Sequence, residues 1–304
     1  MTSLAAIFFP GAFSSVSDTT THAAGEENIG NVIIHHISDS NTLELPFIGE
    51  VHLPHFELLG IDFSITKHVV MMLAVAVLLI VMMRMAARRK PGELPTGFAA
   101  AIEAVVEFIR DEIAVPNLGQ RFATAFTPYL CTVFFFILTC NLLGLVPYAA
   151  TATGNVSVTA GLAILTFILT QAMGIKANGI GGYLKHLTGG VHWAMWPIMV
   201  PVEFLGLFTK PFALCIRLYA NMTAGHVIIL SLISLIFIFG KGGANPVAAY
   251  GIAPISVGFS LFVNLLEILV AFLQAYIFTL LSSVFIGLAS HSDHHHEDAH
   301  PASH

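Results

Sequence analysis

Charge is what this chain has least of. Asp, Glu, Lys and Arg together make up 10% of its 304 residues, against 56% hydrophobic residues and a mean hydropathy of +0.82. Soluble domains carry about 25% charged residues, so a water-facing surface is excluded for most of the chain. Cysteine is confined to Cys131, Cys140 and Cys215, all inside apolar runs. A helix puts Cys131 and Cys140 on opposite faces, so neither a disulfide framework nor a metal knuckle is indicated. A phosphate loop is missing as well, because the glycine-rich stretch 179–190 lacks the Gly-Lys-Ser/Thr ending. No cofactor, metal or nucleic-acid partner is therefore expected. Lys and Arg are absent from the first 66 residues, which hold eight carboxylates together with His22, His35, His36, His52 and His55. Residues 1–65 read as an acidic, histidine-containing arm outside the membrane. Its apolar opening, Leu4 to Phe9, is short and without a basic flank, unlike an ordinary signal peptide.

What is abundant is apolar sequence in runs of membrane-spanning length, and residues 66–290 read as an all-α polytopic membrane domain. A first span from about Thr66 to Met85 is followed by Arg84, Arg88, Arg89 and Lys90, the basic cluster of a cytoplasmic end. Phe98 to Ile113 alternates Phe98, Ile102, Val105, Val106 and Ile109 with Glu103, Glu107, Arg110 and Asp111 at helical spacing, which predicts an amphipathic helix at the cytoplasmic interface. The second span is roughly Phe126 to Tyr148, a short external turn covers Thr151 to Asn155, and the third span is roughly Val156 to Ile175. Lys176, Lys185 and the glycines at 179–190 predict an inner loop. A fourth helix runs from about Trp196 to Phe239, about 66 Å long, and must tilt, bend or break near Pro201 and Pro211. A fifth, also long, covers about Ile252 to Ala289. Five crossings put the amino terminus outside and the carboxyl terminus in the cytoplasm. Basic residues agree, with eight of twelve inside and only Lys67 and Lys241 outside. The tail 291–304 is rich in His and reads as a solvated end rather than a metal site.

The intramembrane polar residues carry the chemistry. Arg217 lies in one of the most apolar stretches, where a guanidinium costs about 3 kcal/mol or more to insert and needs a function or a partner. Glu203, Lys210 and Arg217 recur every seven residues, on one face of the fourth helix to within about 20° per heptad. His226 points to the opposite side, about 13 Å further along. The fifth helix carries Asn264, Glu267, Ala271 and Gln274 on one face, so antiparallel packing would set His226 beside Glu267 and Arg217 beside Gln274. An imidazole next to a carboxylate can relay protons, because His titrates closest to physiological pH. A guanidinium keeps its proton; what it can do is repel cations and attract a carboxylate brought by another polypeptide. Blander readings stand beside these. Lys210 reads as a snorkelling residue, Glu203 as functional unless Lys210 merely neutralises it, and Asn141 and Asn155 as span-end polar groups or more.

The run Arg217-Leu-Tyr-Ala-Asn221-Met-Thr-Ala-Gly225, with Pro201-Val-Glu203, Asn141-Leu-Leu-Gly-Leu-Val-Pro147, Asn155-Val-Ser-Val and Leu273-Gln274-Ala-Tyr-Ile-Phe278, resembles subunit a of the F-type ATP synthase over roughly residues 65–290. The resemblance implies a non-catalytic stator half of a proton channel in a bacterial inner membrane. Its partners would be the c-ring proteolipids, the peripheral-stalk subunit b and the remaining synthase subunits. Arg217 would face the ring carboxylate; Asn221, His226, Glu267 and Gln274 would line the outer half-channel, and Glu203 the inner one. Many bacterial members carry Glu at the position of His226 and His at that of Glu267; the order here is similar to the mitochondrial type. The alternative reading is a stand-alone secondary transporter with Arg217 as substrate anchor. That fold would be built from inverted repeats or broken helix pairs, and no second copy of the arginine segment occurs.

Overall fold

The structure, a computed structural model, describes residues 42–45, 49–52, 57–58, 61–62, 66–88, 96–146, 151–187, 196–240 and 246–290. The His-rich tail and most of the arm lie outside the described residues. Within the arm are two antiparallel hairpins, β1 (Thr42–Leu45) with β2 (Gly49–His52) and β3 (Glu57–Leu58) with β4 (Ile61–Asp62). Thr42 pairs with His52 and Leu45 with Gly49. Both hairpins precede the first span, and among the described residues from 66 to 290 there is no strand.

Among the described residues the five apolar runs form five helical segments long enough to cross a bilayer. In chain order the helices are α1 (Lys67–Ala87), α2 (Phe98–Phe108), α3 (Val115–Gly144), α4 (Val156–Leu187), α5 (Trp196–Gly240) and α6 (Pro246–Ser290). The all-α polytopic class read from composition is thus the class observed. Three local features depart from the expected boundaries. Residues Ile109–Ala114 form a π turn that joins α2 to α3, so the amphipathic helix does not stop near Ile113. Its N–H groups reach five residues back, as Val115 does to Arg110, and this shifts the carbonyl pairing. The carbonyl of Ile113 accepts from the Asn117 amide at 2.7 Å and from the Ser283 hydroxyl at 3.2 Å. The real break comes at Gly119, whose φ of 72° and ψ of 160° are open only to glycine.

The second departure is the glycine-rich stretch. Instead of a loop from Lys176 onward, α4 stays helical to Leu187 and is interrupted only at Gly179, with φ 69° and ψ 168°. Gly179 supplies the bend while Gly181 and Gly182 stay within helix, because neighbouring packing outweighs their poor propensity. Gly174 lets the Tyr183 ring and Ala289 approach, and the Asn178 amide donates to the Ala289 carbonyl at 3.1 Å. The third is α5, which remains helical through Pro201 and Pro211. Breakage is excluded; at 45 residues the helix exceeds a bilayer crossing and must tilt or bend.

By contact the chain divides into two compact units, one of residues 1–77, 139–155 and 219–271, the other of 78–138, 156–218 and 272–304. The second unit holds a hydrophobic core built on Ile109 and Ile113 of the π turn, Leu130 and Ile137 of α3, Leu218 of α5 and Phe278 of α6, all with no exposure. These are large branched or aromatic side chains at helical spacing, packed where the helix faces meet. In the first unit the buried set is conspicuously polar: Asn141, Thr151, Thr153, Ser256 and Glu267.

Candidate proton-relay site

The buried polar group of the first unit assembles around His226. The antiparallel register of α5 and α6 brings the ring to Glu267, with Nδ1 3.0 Å from Oε1. That contact lacks hydrogen-bond direction, since Nδ1 points to the Met222 carbonyl at 2.9 Å, so it is an electrostatic pairing. On the other side Nε2 lies 3.0 Å from the Gly144 carbonyl and 3.0 Å from the Thr151 hydroxyl. Carbonyl oxygens only accept, so an imidazolium satisfies both ring nitrogens at once. A proton exchanged between ring and carboxyl leaves the pair's net charge unchanged, which suits a relay in a medium hostile to net charge. The Glu267 side chain is 4% exposed and that of His226 is 30% exposed, so the imidazole is the more accessible member.

Local backbone makes this packing possible. A Cβ at Gly225 would come 2.5 Å from Glu267 Oε1 and 2.8 Å from its carboxyl carbon, so α6 seats its acid against bare α5 backbone. A Cβ at Gly144 would collide with the Thr151 side chain. The turn that precedes α4 is a 3-10 turn, Ala152–Gly154, with Thr151, Ala152 and Thr153 buried. Thr153 donates to Asn141 Oδ1 at 2.6 Å, and the Asn141 amide reaches toward the Ala271 carbonyl at 3.5 Å. Fully buried Asn141 is therefore a tie between α3, the turn and α6, rather than a span-end group in water. Thr151, Gly144 and Gly225 carry no charge, and the sequence reading assigned them no role.

The second unit holds all but one of the remaining candidates. Arg217 is exposed on α5 and, among the described residues, has no hydrogen-bond or ion-pair partner. Gln274 is buried on α6, and Asn221, in the first unit, is exposed on α5. Glu203 is half-buried and near enough to Tyr183 to act on it electrostatically; the Tyr183 hydroxyl hydrogen-bonds Gln171. Among the described residues Lys210 makes no ion pair with Glu203. Its ammonium sits 5.5 Å from the centroid of the Phe285 ring, a cation–π contact beside a small cavity lined by Thr166, Thr170 and Gln171. The neutralisation reading of Glu203 loses its partner.

Long apolar helices carrying an acid–imidazole pair with a buried carboxylate, and an arginine in an apolar run, define the class of multi-pass membrane proteins. The comparisons narrow this to a family. The family model described as ATP synthase A chain matches residues 69–287. ATP synthase subunit a of Chloroherpeton thalassium is 56% identical over 88% of this chain and 79% of that protein. The subunit a proteins of Pelodictyon phaeoclathratiforme, 51% identical over 99% and 87%, and Anaeromyxobacter dehalogenans, 47% identical over 96% and 79%, are similar over nearly the whole chain. The chain belongs to the ATP synthase A chain family, a membrane family of ATP synthesis and proton transport.

Proposed function

We propose that this chain is the proton-translocating stator subunit of a bacterial F-type ATP synthase and performs no ATP chemistry itself. It offers two offset half-channels to a ring of c subunits and couples proton flow to rotation, in synthesis or hydrolysis. Protons enter from the outside at His226 and Glu267, neutralise a ring carboxylate, travel with the ring through lipid, and leave toward the cytoplasm near Glu203. Asn221 and Gln274 line the approach. Arg217 keeps the two paths apart, because a fixed positive charge repels a proton in transit and draws the ring carboxylate into its ionised form. The observation that carries the reading is the exposed guanidinium of Arg217, unpaired among the described residues and set beside exposed Phe212 and Ile216. An arginine turned outward from an apolar helix is costly unless another polypeptide brings an anion to it.

The orientation with the amino terminus outside and the tail in the cytoplasm follows the distribution of Lys and Arg. Residues 1–65 then form an outer arm, 66–290 the membrane domain and 291–304 a cytoplasmic tail, and subunit b of the peripheral stalk joins the chain to the soluble ATPase. Purification from native membranes in mild detergent tests the assembly. Recovery of a small proteolipid with a mid-membrane carboxylate, together with a soluble ATPase, is the expected outcome. A homo-oligomer without proteolipid would move the assignment to a secondary transporter.

A further inference from the structure

The two ring nitrogens of His226 face different chemistry. At Nδ1 both neighbours are acceptors, the Met222 carbonyl at 2.9 Å and the Glu267 carboxylate at 3.0 Å. Neither has a hydrogen to offer, so Nδ1 keeps its proton whether the ring is charged or neutral. At Nε2 the Gly144 carbonyl, 3.0 Å away, again only accepts. The Thr151 hydroxyl, also at 3.0 Å, can accept or donate. Nε2 is therefore the nitrogen that gains and loses the proton, and of its two neighbours only Thr151 can satisfy it when it is bare. A buried acceptor left without a donor is destabilising. The hydroxyl is also held in place. Thr151 is buried just before the 3-10 turn Ala152–Gly154, and its carbonyl accepts from the Gly154 N–H at 2.9 Å. Thr153 ties the same turn to fully buried Asn141 on α3, and Gly144 leaves the room that the Thr151 side chain fills. All of these residues belong to the first unit.

We propose that Thr151 is a positioning residue whose hydroxyl reverses its role with each proton that His226 carries. It accepts from Nε2–H of the imidazolium and donates to the bare Nε2 of the imidazole. The inference rests on the proposed proton-channel role and adds a residue to it. When Nε2 releases its proton to the next acceptor on the path, the hydroxyl turns about its C–O bond and keeps its own proton. Thr151 thus carries no proton itself; it makes both states of the ring tolerable in one geometry. Without the hydroxyl, the neutral ring sets its Nε2 lone pair against the Gly144 carbonyl, and the cycle of uptake and release slows.

The test uses the intact complex in sealed vesicles. Thr151→Val keeps the branched shape and removes the hydroxyl, whereas Thr151→Ser keeps the hydroxyl and removes a methyl group. A several-fold lower rate of proton-driven ATP synthesis in Thr151→Val, with recovery in Thr151→Ser, is expected. Loss of packing alone would not reach the ring nitrogens, so the second readout is the nitrogen NMR spectrum of the complex isotope-labelled in histidine. The His226 signals are assigned by their loss in His226→Gln. The neutral ring of the unsubstituted chain and of Thr151→Ser should show a protonated Nδ1 and a hydrogen-bonded, unprotonated Nε2. In Thr151→Val the Nε2 signal should move to that of a free lone pair or disappear. A normal rate or an unmoved Nε2 signal in Thr151→Val, with transport still slow in His226→Gln, would overturn the role of Thr151 and leave the channel role standing. Normal transport in His226→Gln as well would remove the relay on which the inference rests.

Discussion

Gly225 lets the Glu267 carboxyl meet His226 by having no side chain. The Glu267 carboxyl occupies the space that a Cβ there would take, within 2.5 to 3.2 Å of three of its atoms. Gly225→Ala therefore forces the carboxylate away from His226 or α6 away from α5, and overpacking of this kind costs about 1–3 kcal/mol. The expected result is an assembled complex with a several-fold lower initial rate of ATP-driven proton uptake; wild-type rates would show that the acid is not held in this position. At this scale the sequence was legible where cost makes a residue conspicuous. Arg217, His226 and Glu267 stand out because an ionisable side chain in an apolar run has to be explained. Gly144, Gly225 and Thr151 do not, because small residues are ordinary in membrane helices and these matter only through what packs on them.

Backbone breaks decide how the helices are cut. Gly119 and Gly179 both sit near φ 70° with extended ψ, a region that residues with a Cβ enter at a cost of about 1–3 kcal/mol. Gly119→Ala has open space around the added methyl, so the penalty falls on the backbone alone. A lower unfolding temperature of the detergent-solubilised subunit is expected, and an unchanged one would contradict the assigned conformation. Helix existence and type were readable from apolar run length alone. The π turn at Ile109–Ala114 was not, since it depends on donors supplied by Asn117 and Ser283. Nor was the choice of Gly179 over Gly181 and Gly182, because all glycines look alike until packing selects the one that bends.

For the molecule as a whole, five long apolar helices and the match to residues 69–287 agree with the class read from composition. Extensive apolar exposure on α5 and α6, including Leu205, Phe212, Leu261 and Leu269, is what helices bathed in lipid or facing another membrane subunit present. The arginine stripe lies within this surface, and the central claim is that Arg217 faces a carboxylate on a moving partner. The most direct measurement is coupled transport by the Arg217→Ala complex in sealed vesicles. ATP-driven proton pumping and proton-driven ATP synthesis should both be lost while the complex still assembles, with Arg217→Lys separating charge from geometry. Retained coupled synthesis in Arg217→Ala would contradict the account at its root.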